Sequence, residues 1–272
     1  MQRLLTAACA CLLLIPQALH AQSAFQPGTQ AYIIAPSGLN LRKTPDPKGA
    51  VLTKLAYGTA VSVADDGKPD AAFSTEGIGG YWAFVKSGAF SGYLFDGYLT
   101  SMPAPPKDCG DLPQYVQASF KPAGPEQLEI QPHPEFPEDS IVDRTQPLNP
   151  EAVYQERVEP YFIQQRLILP AASTVTEAFV LGRVISPQFR TVRTDVELTA
   201  SDDDPDLYSG SYQGEANAYG TSPEVYVSLR RSSRGVMEFV SVQLWYEGGS
   251  VSMEAGKNGM GETVLTFSYH AD

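Results

Sequence analysis

Proline is distributed unevenly along this 272-residue chain, and its distribution limits where helices and sheets can form. Eleven of the 22 prolines fall between residues 103 and 150. Proline fixes the backbone φ angle, lacks an N–H donor and pushes the preceding residue toward extended conformations. The sequence therefore predicts that residues 103–148 form a Pro-rich linker, partly polyproline-like, with no helix and no central strand. This linker separates a first block, residues 28–102, from a second block, residues 149–272.

The first block consists of short runs with high β propensity, separated by turn residues. The runs cover residues 31–34, 39–42, 51–55, 60–63, 81–85 and 92–95. Glycine, proline, aspartate and serine occupy positions between them, as is typical of tight turns. Short strands at this spacing within about 75 residues favour a small β-barrel, because closure removes the exposed edges of a sheet.

Four motifs in the first block occur in the order found in bacterial SH3-like domains. They are residues 37–42 (SGLNLR), residues 51–61 (VLTKLAYGTAV), Trp82 with Val85, and residues 92–99 (GYLFDGYL). Residues 28–102 therefore resemble a bacterial SH3-like domain, and the resemblance implies a small barrel that binds a ligand or serves as a scaffold. One departure is an insertion at residues 65–80, which we expect to lengthen a loop at the rim of the barrel.

Aromatic residues near the end of the first block are candidates for a ligand-binding groove. The candidates are Tyr81, Trp82, Phe95 and Tyr98. Aromatic side chains also fill the cores of small barrels, and tyrosine and tryptophan combine an apolar ring with a polar group that suits either location. We expect Trp82 to lie in the core, and Tyr81 and Tyr98 to line the groove.

The second block carries a mixed pattern that predicts an α+β domain. Residues 149–151 (NPE) indicate the start of a short helix, and Thr174 and Glu177 form a capping box that begins a second helix, ending before Pro187. Alternating apolar and polar residues then predict strands at residues 191–198, 224–230, 235–247, 250–254 and 263–269. We predict an antiparallel meander packed against one or two helices, and we recognise no family for it.

The first 21 residues match an export signal. Arg3 precedes an apolar run of 13 residues, and small residues favour cleavage after Ala21. The run is too short for a bilayer span, which takes about 20 residues. We therefore expect a periplasmic or secreted bacterial protein with no membrane span. A lipoprotein attached through Cys9 is an alternative, although that cysteine precedes the end of the apolar run.

The charge balance is acidic, with 31 Asp and Glu against 19 Lys and Arg and a net charge of −12. Removal of the export signal takes away Arg3 and leaves a mature chain with 18 basic residues, 31 acidic residues and a net charge of −13. Nucleic acids and anionic membrane surfaces require clustered positive charge on the protein that binds them. The composition therefore argues against both as partners.

Cys109 is the one cysteine that remains after removal of the export signal. Residues 108–111 (DCGD) resemble the Asp-Cys-Ser-Gly start of cell-wall cysteine peptidases, whose mechanism needs a thiolate at a helix N-terminus and a histidine base. Pro113 follows closely, and His133 and His270 do not lie on the expected strand after the cysteine. We therefore predict no catalytic residue, and we expect Cys109 to be an unpaired linker cysteine.

No metal or cofactor is predicted. Cys109 and two histidines supply too few ligands for a zinc site. The acidic run from Asp202 to Asp206, with Glu215 nearby, offers oxygen ligands for calcium, but it lacks the glycine and terminal glutamate of a calcium-binding loop. A solvated acidic loop between strands is the interpretation that we favour.

Together these features favour an exported cell-envelope protein that acts by binding. The SH3-like block is expected to contact a peptidoglycan peptide, a glycan or a protein partner. One alternative is an acidic inhibitor or immunity-type protein that blocks a basic envelope hydrolase such as a lysozyme. Another is a cell-wall hydrolase, or an accessory to one, that uses Cys109.

Overall fold

The computed structural model describes residues 23–68, 71–216, 221–233 and 235–271. The predicted export signal, residues 1–21, lies outside these ranges. Strands dominate the described chain and form two antiparallel sheets, which confirms the prediction of a mainly β protein. None of the helices in these ranges is long and apolar enough to cross a membrane.

The first sheet is built from the first block. Its strands are β1 (Gln30–Ile33), β2 (Leu39–Arg42), β3 (Val51–Leu55), β4 (Ala60–Val63), β5 (Ala72–Thr75), β6 (Ile78–Ser87), β7 (Phe90–Phe95) and β8 (Leu99–Thr100). The strand order is β3-β2-β7-β6-β4-β1-β8, and β5 pairs with β6. The described strands close neither sheet into a barrel. The predicted closure is therefore not observed, and the resemblance to SH3-like domains stays a prediction.

The insertion at residues 65–80 contains regular structure, so the prediction of a lengthened loop is wrong. Strand β5 and the start of β6 form a hairpin. Its turn residues, Glu76 and Gly77, have positive φ angles of 52° and 74°, a combination that matches the right-handed twist of paired strands. A Cβ on Gly77 would lie 2.3 Å from Thr194 Oγ1, so the hairpin tip packs directly against the second half of the chain.

The second sheet begins inside the proline-rich stretch and continues almost to the end of the chain. Its strands are β9 (Lys121–Pro122), β10 (Gln127–Pro132), β11 (Ser140–Asn149), β12 (Ala152–Glu159), β13 (Phe162–Ile168), β14 (Thr199–Ala200), β15 (Leu207–Gln213), β16 (Glu224–Arg231), β17 (Met237–Tyr246), β18 (Gly249–Lys257) and β19 (Thr263–Ala271). The order is β10-β11-β12-β13-β19-β18-β17-β16-β15-β14, and β9 pairs with β11. Strands β16 to β19 confirm the predicted antiparallel meander. Residues 191–198, predicted as a strand, are irregular and follow a 3-10 turn (Pro187–Phe189).

The proline-rich stretch contains a helix, α1 (Leu112–Ser119), and three strands, so the prediction of no helix and no central strand is wrong. Asp111 caps α1 by accepting a hydrogen bond from the Gln114 N–H at 2.8 Å. Pro113 lies in the first turn of α1, where a backbone donor is not needed. Pro147 pairs in register with Val153 of β12, and on the other side of β11 it falls between the residues that pair with β10 and those that pair with β9.

The short helix predicted from residue 149 is also wrong, because this segment enters strand β12. The strand pairs with β11 on one side and with β13 on the other. Tyr154 and Val158 share one face of the sheet, while Val153 and Arg157 share the other, which is the two-residue period of a strand. The Asn149–Pro150 bond is cis and belongs to the turn between β11 and β12.

Helix α2 (Val175–Ile185) confirms the second predicted helix. The Thr174 hydroxyl accepts a hydrogen bond from the Glu177 N–H at 3.1 Å, as the capping box requires. Every residue of α2 except Arg183 is buried, because the helix contacts β17, β18 and β19 on one side and β6, β8 and a 3-10 turn (Asp96–Tyr98) on the other. One hydrophobic cluster therefore runs through both halves, and it includes Ile78, Trp82, Phe95, Phe179, Leu244 and Phe267.

Glu177 joins α2 to the first sheet through hydrogen bonds. The residue is 4% exposed. Its Oε1 atom accepts from the Thr100 hydroxyl at 2.9 Å, from the Ser101 N–H at 2.6 Å and from the Ser101 hydroxyl at 2.7 Å. Hydrogen bonds to a carboxylate are stronger than neutral ones. The side chain that the sequence assigned to a local helix cap therefore links the two halves of the protein.

Replacing this carboxylate tests the link. Glu177→Ala should lower the free energy of unfolding by about 2–3 kcal/mol, because the buried Thr100 hydroxyl and the Ser101 amide lose their acceptor. Urea denaturation followed by far-UV circular dichroism measures the change. Glu177→Gln retains an acceptor oxygen and should lower the free energy of unfolding by less than Glu177→Ala does. A Glu177→Ala protein that unfolds at the wild-type urea midpoint would contradict the assigned link.

Candidate ligand-binding cleft

Two of the predicted groove residues, Trp82 and Phe95, are buried in the core. Their ring centroids lie 6.4 Å apart. The Phe73 ring covers both, at 5.3 Å from Trp82 and 5.1 Å from Phe95. Packing of this kind stabilises aromatic clusters when the rings are tilted or edge-on. Trp82 and Phe95 thus lie beneath the Phe73 ring. Of these three aromatic residues, Phe73 is the one that lines the cleft described below.

Tyr98 forms a hydrogen bond to the turn of the β5–β6 hairpin. Its hydroxyl donates to Glu76 Oε2 at 2.6 Å, and its ring packs edge-on against Phe95 with centroids 5.9 Å apart. Burial, followed by the nearby Glu76 carboxylate, raises the pKa of the Tyr98 hydroxyl well above its usual value. The phenol therefore stays protonated and remains a donor throughout the physiological pH range. Its role in the structure is to hold the turn at Glu76.

A cleft of about 690 Å³ lies where the two halves of the chain meet, and we call it the junction cleft. The first half contributes β5, the start of β6 and the 3-10 turn after β7. The second half contributes the N-terminal turn of α2 and the segment between β16 and β17. Tyr81 lines the cleft, and the buried pair Trp82 and Phe95 lies behind it.

Asp96 anchors the first wall of the junction cleft. Its Oδ1 atom accepts from the Tyr81 N–H at 2.6 Å, and its Oδ2 atom accepts from the Ser23 hydroxyl at 2.7 Å. A Cβ on Gly80 would lie 2.3 Å from Asp96 Oδ1, so only glycine leaves room for this carboxylate against β6. Asp96 therefore fixes both the backbone at Tyr81 and the segment that follows the predicted cleavage point.

Arg231 anchors the second wall. Its Nη2 atom donates to the Gly77 carbonyl at 2.8 Å, and its Nη1 atom donates to the Gly235 carbonyl at 3.4 Å. Burial lowers the pKa of the Arg231 guanidinium from its usual value, although arginine remains charged at any physiological pH. The contact to Gly77 links the end of β16 to the tip of the β5–β6 hairpin.

The sulfur of Cys109 is buried outside the cleft lining. Its S–H donates to the Asp111 carbonyl at 3.3 Å, and burial raises the pKa of the Cys109 thiol. His133 Nδ1 accepts from the N–H groups of Glu135 and Phe136, and its Nε2 atom lies 3.7 Å from Glu159 Oε2. The His270 ring packs on another aromatic side chain 4.6 Å away. The geometry therefore does not pair Cys109 with either of these two imidazoles.

The acidic run from Asp202 to Asp206 forms a turn before β15. Asp204 accepts a hydrogen bond from the Arg230 side chain, which lowers the pKa of the Asp204 carboxyl. The same carboxylate accepts from the Asp206 N–H at 3.1 Å. Across the described part of the chain, no group of three or more His, Cys, Asp or Glu residues is placed to hold a metal ion.

Sequence reasoning missed several residues of the cleft. Asp96 follows an aromatic strand and precedes Gly97, a pattern that indicates an ordinary turn. Glu177 fits a capping box, so its sequence context assigns it to its own helix. Arg231 lies at the end of a strand among other charged residues. Only contacts between segments distant in sequence bring these side chains together. The local sequence pattern around each residue does not indicate those contacts.

Comparison of the chain with known proteins gives no relative. No protein-family model, curated protein or solved structure matches it. A function for this protein must therefore come from the chemistry of its own surfaces.

Two neighbouring glycines offer a matched test of the Asp96 anchor. Gly80→Ala should lower the free energy of unfolding by about 1–3 kcal/mol, because the new methyl group collides with the Asp96 carboxylate. Gly79→Ala is the control, since its Cβ would meet only the Gly235 carbonyl at 3.7 Å, an ordinary contact. Urea denaturation measures both variants. Equal effects of the two substitutions would contradict the assigned contact.

Proposed function

We propose that the protein is exported to the cell envelope and acts there as a binding protein. In this proposal residues 28–102 are an SH3-like domain, and the ligand occupies the junction cleft. The observation that carries the proposal is the cleft itself, a space of about 690 Å³ with walls from both halves of the chain. Ligand sites are commonly concave, largely apolar and located where two structural units meet.

An extended peptide is the ligand class that the cleft fits best. Strand β5 pairs with β6 along one side, and Ala72, Phe73 and Ser74 of β5 line the cleft. A peptide can add to such a strand through main-chain hydrogen bonds while its side chains enter neighbouring pockets. Gly79 leaves the adjacent backbone accessible to a close approach, since a Cβ there would meet only the Gly235 carbonyl at 3.7 Å. A peptidoglycan stem peptide or a segment of an envelope protein has the required form.

Binding without catalysis agrees with the chemistry of the lining. The described lining residues include neither cysteine nor histidine. Both carboxylates already serve as structural acceptors, Asp96 for Tyr81 and Ser23, and Glu177 for Thr100 and Ser101. A nucleophile needs an adjacent base to become reactive. The proposed activity is therefore contact with a ligand, with Tyr81 and Phe73 as the apolar contacts.

Co-sedimentation of the mature chain with purified cell-wall sacculi tests this proposal. Tyr81→Ala should weaken binding about tenfold, because aromatic side chains at the centre of a site carry much of the affinity. Phe90→Ala is the matched control, since Phe90 is an exposed aromatic residue on β7 outside the cleft. Failure of the wild-type chain to sediment, or equal losses for both variants, would contradict the proposal.

An acidic inhibitor is the second candidate function. The side chains of Asp202, Asp203 and Asp206 are exposed, on a chain with a net charge of −12. Such a surface attracts a basic hydrolase by electrostatic steering. Inhibition of a basic lysozyme that disappears as salt is raised, combined with no binding to sacculi, would favour this function over the first.

A further inference from the structure

An unbroken row of apolar side chains crosses seven strands of the second sheet, and we call it the apolar row. Residues that pair directly across antiparallel strands lie on the same face of a sheet. From β10 to β17, this pairing sets the row in the order Ile130, Val142, Val158, Ile163, Tyr269, Val251 and Leu244. At a spacing of about 4.8 Å between strands, the row is about 29 Å long.

The apolar row lies on the face that helix α2 covers in part. Met253 is two residues from Val251 on β18, so both are on one face, and Gly182 of α2 closely approaches Met253. The helix contacts β17, β18 and β19 of this sheet. Toward the other edge, Ile163 is 38% exposed and Ile130 is 61% exposed. The part of the row on β13 and β10 therefore reaches solvent.

Aromatic side chains and a cavity extend the row to the end of the strands. Phe136 lies in the turn between β10 and β11, and Tyr161 lies in the turn between β12 and β13; both are exposed. Their rings pack edge-on with centroids 6.4 Å apart. A cavity of about 390 Å³ is lined by Tyr161, by the turn between β17 and β18, and by Val158, Ile163 and Tyr269 of the row, among others. The row, the two aromatic residues and the cavity form one surface, which we call the apolar end surface.

Unpaired acidic side chains surround the apolar end surface. The turn between β10 and β11 carries Glu135, Glu138 and Asp139, and the turn between β17 and β18 carries Glu247. All four side chains are exposed, and none has an ion-pair partner within the part of the chain that the structure describes. Neither turn contains a lysine or an arginine.

The arginines on β11 and β12 are already paired. Arg157 forms ion pairs with Asp143 and Glu159, and Arg144 lies 4.0 Å from Glu156. They therefore do not neutralise the acids of the two turns. The charge that remains available to a partner around the apolar end surface is negative.

We propose that the apolar end surface docks a basic, amphipathic segment of a partner protein. The apolar side chains of the segment contact the apolar row, and its lysine or arginine side chains face the acidic turns. An apolar, aromatic centre with a charged rim is the usual composition of a protein–protein contact. A sheet face that its own helix leaves open also lacks the second layer that normally covers it.

Charge complementarity favours this occupant over the alternatives. The acidic rim repels an anionic lipid surface and an acidic protein. A second copy docked through the same surface would bring two acidic rims together, and juxtaposed like charges weaken association. A neutral ligand would gain nothing from the rim. The apolar end surface shares no lining residue with the junction cleft and does not depend on the function proposed for that cleft.

A designed peptide tests the proposal through fluorescence anisotropy. The probe is a dye-labelled amphipathic peptide of leucine and lysine, about 14 residues and about 21 Å long as a helix. The exposed part of the row, from β10 to β19, is about 19 Å long. We expect the mature chain to bind the probe with a dissociation constant of about 10 μM at about 50 mM salt, and more weakly as salt screens the charges.

Two reference peptides separate the apolar and the charged contributions. One has glutamate in place of every lysine, and the acidic rim should repel it. The other has serine in place of every leucine and keeps the positive charge, so it lacks the apolar contact. Each should bind at least about tenfold more weakly than the leucine–lysine probe. Equal binding of all three peptides would contradict the proposal.

Apolar variants then locate the docked probe. Ile130→Ser and Ile163→Ser should each weaken binding about tenfold, because each removes an apolar contact from an exposed position. Met260→Ser is the matched control, since Met260 is an exposed apolar residue in the turn at the opposite end of the sheet. Thermal denaturation checks that each variant is folded. Binding that both isoleucine variants leave unchanged would overturn the proposal.

Charge variants test the acidic rim. Replacing Glu135, Glu138 and Asp139 together by their amides should weaken binding about fivefold at low salt, because exposed ion pairs contribute modestly. The matched control removes the same charge from the exposed loop before β15, by Asp202→Asn, Asp203→Asn and Asp206→Asn. Equal losses for the two triple variants would indicate unspecific attraction, and a loss confined to the control would place the probe on the loop. Either result overturns the proposal.

Two further results would overturn it. One is the absence of probe binding at every salt concentration. The other comes from sedimentation of the chain without peptide. A dimer that Ile163→Ser converts to a monomer would show that a second copy of the chain occupies the surface.

Discussion

Burial of helix α2 between two sheets is the constraint on which the rest of the structure depends. The first sheet has a small core of its own, which includes Ile33, Leu41 and Leu94. Its aromatic residues Trp82 and Phe95 belong instead to the cluster that contains α2 and the second sheet. Glu177 accepts hydrogen bonds from Thr100 of β8 and from the following Ser101 in the same region. The two halves therefore share their main core.

The junction cleft follows from this arrangement. The junction cleft exists because the β5–β6 hairpin, the first turn of α2 and the end of β16 converge without filling the space between them. Helix α2 covers only one face of β17, β18 and β19 in the second sheet. An antiparallel sheet tolerates one solvated face, and here that face carries serine, threonine and glutamine beside aromatic rings.

The sequence predicted local features well and long-range ones poorly. Thr174 and Glu177 identified α2 because a capping box is a local signal, and alternating residues identified the β16–β19 meander. The number of prolines was a poor guide, because Pro113 fits the first turn of a helix and Pro147 fits a gap between β9 and β10 on one side of β11. Tyr154 fits a helix or a strand by spacing alone, and its pairing with Gln146 of β11 and Leu167 of β13 decides. The cleft residues Asp96 and Arg231 carried no local signal, since contacts between the halves define their roles.

The most direct test of the shared core compares unfolding of the two halves within one molecule. Trp245→Phe changes an exposed residue and leaves Trp82, in the first half, as the sole tryptophan. Urea denaturation of the mature Trp245→Phe chain is followed by Trp82 fluorescence and by far-UV circular dichroism, which reports α2 and the larger second sheet. A shared core predicts that both signals change in a single transition with the same midpoint. Two separate midpoints would show that the halves unfold independently and would contradict the account.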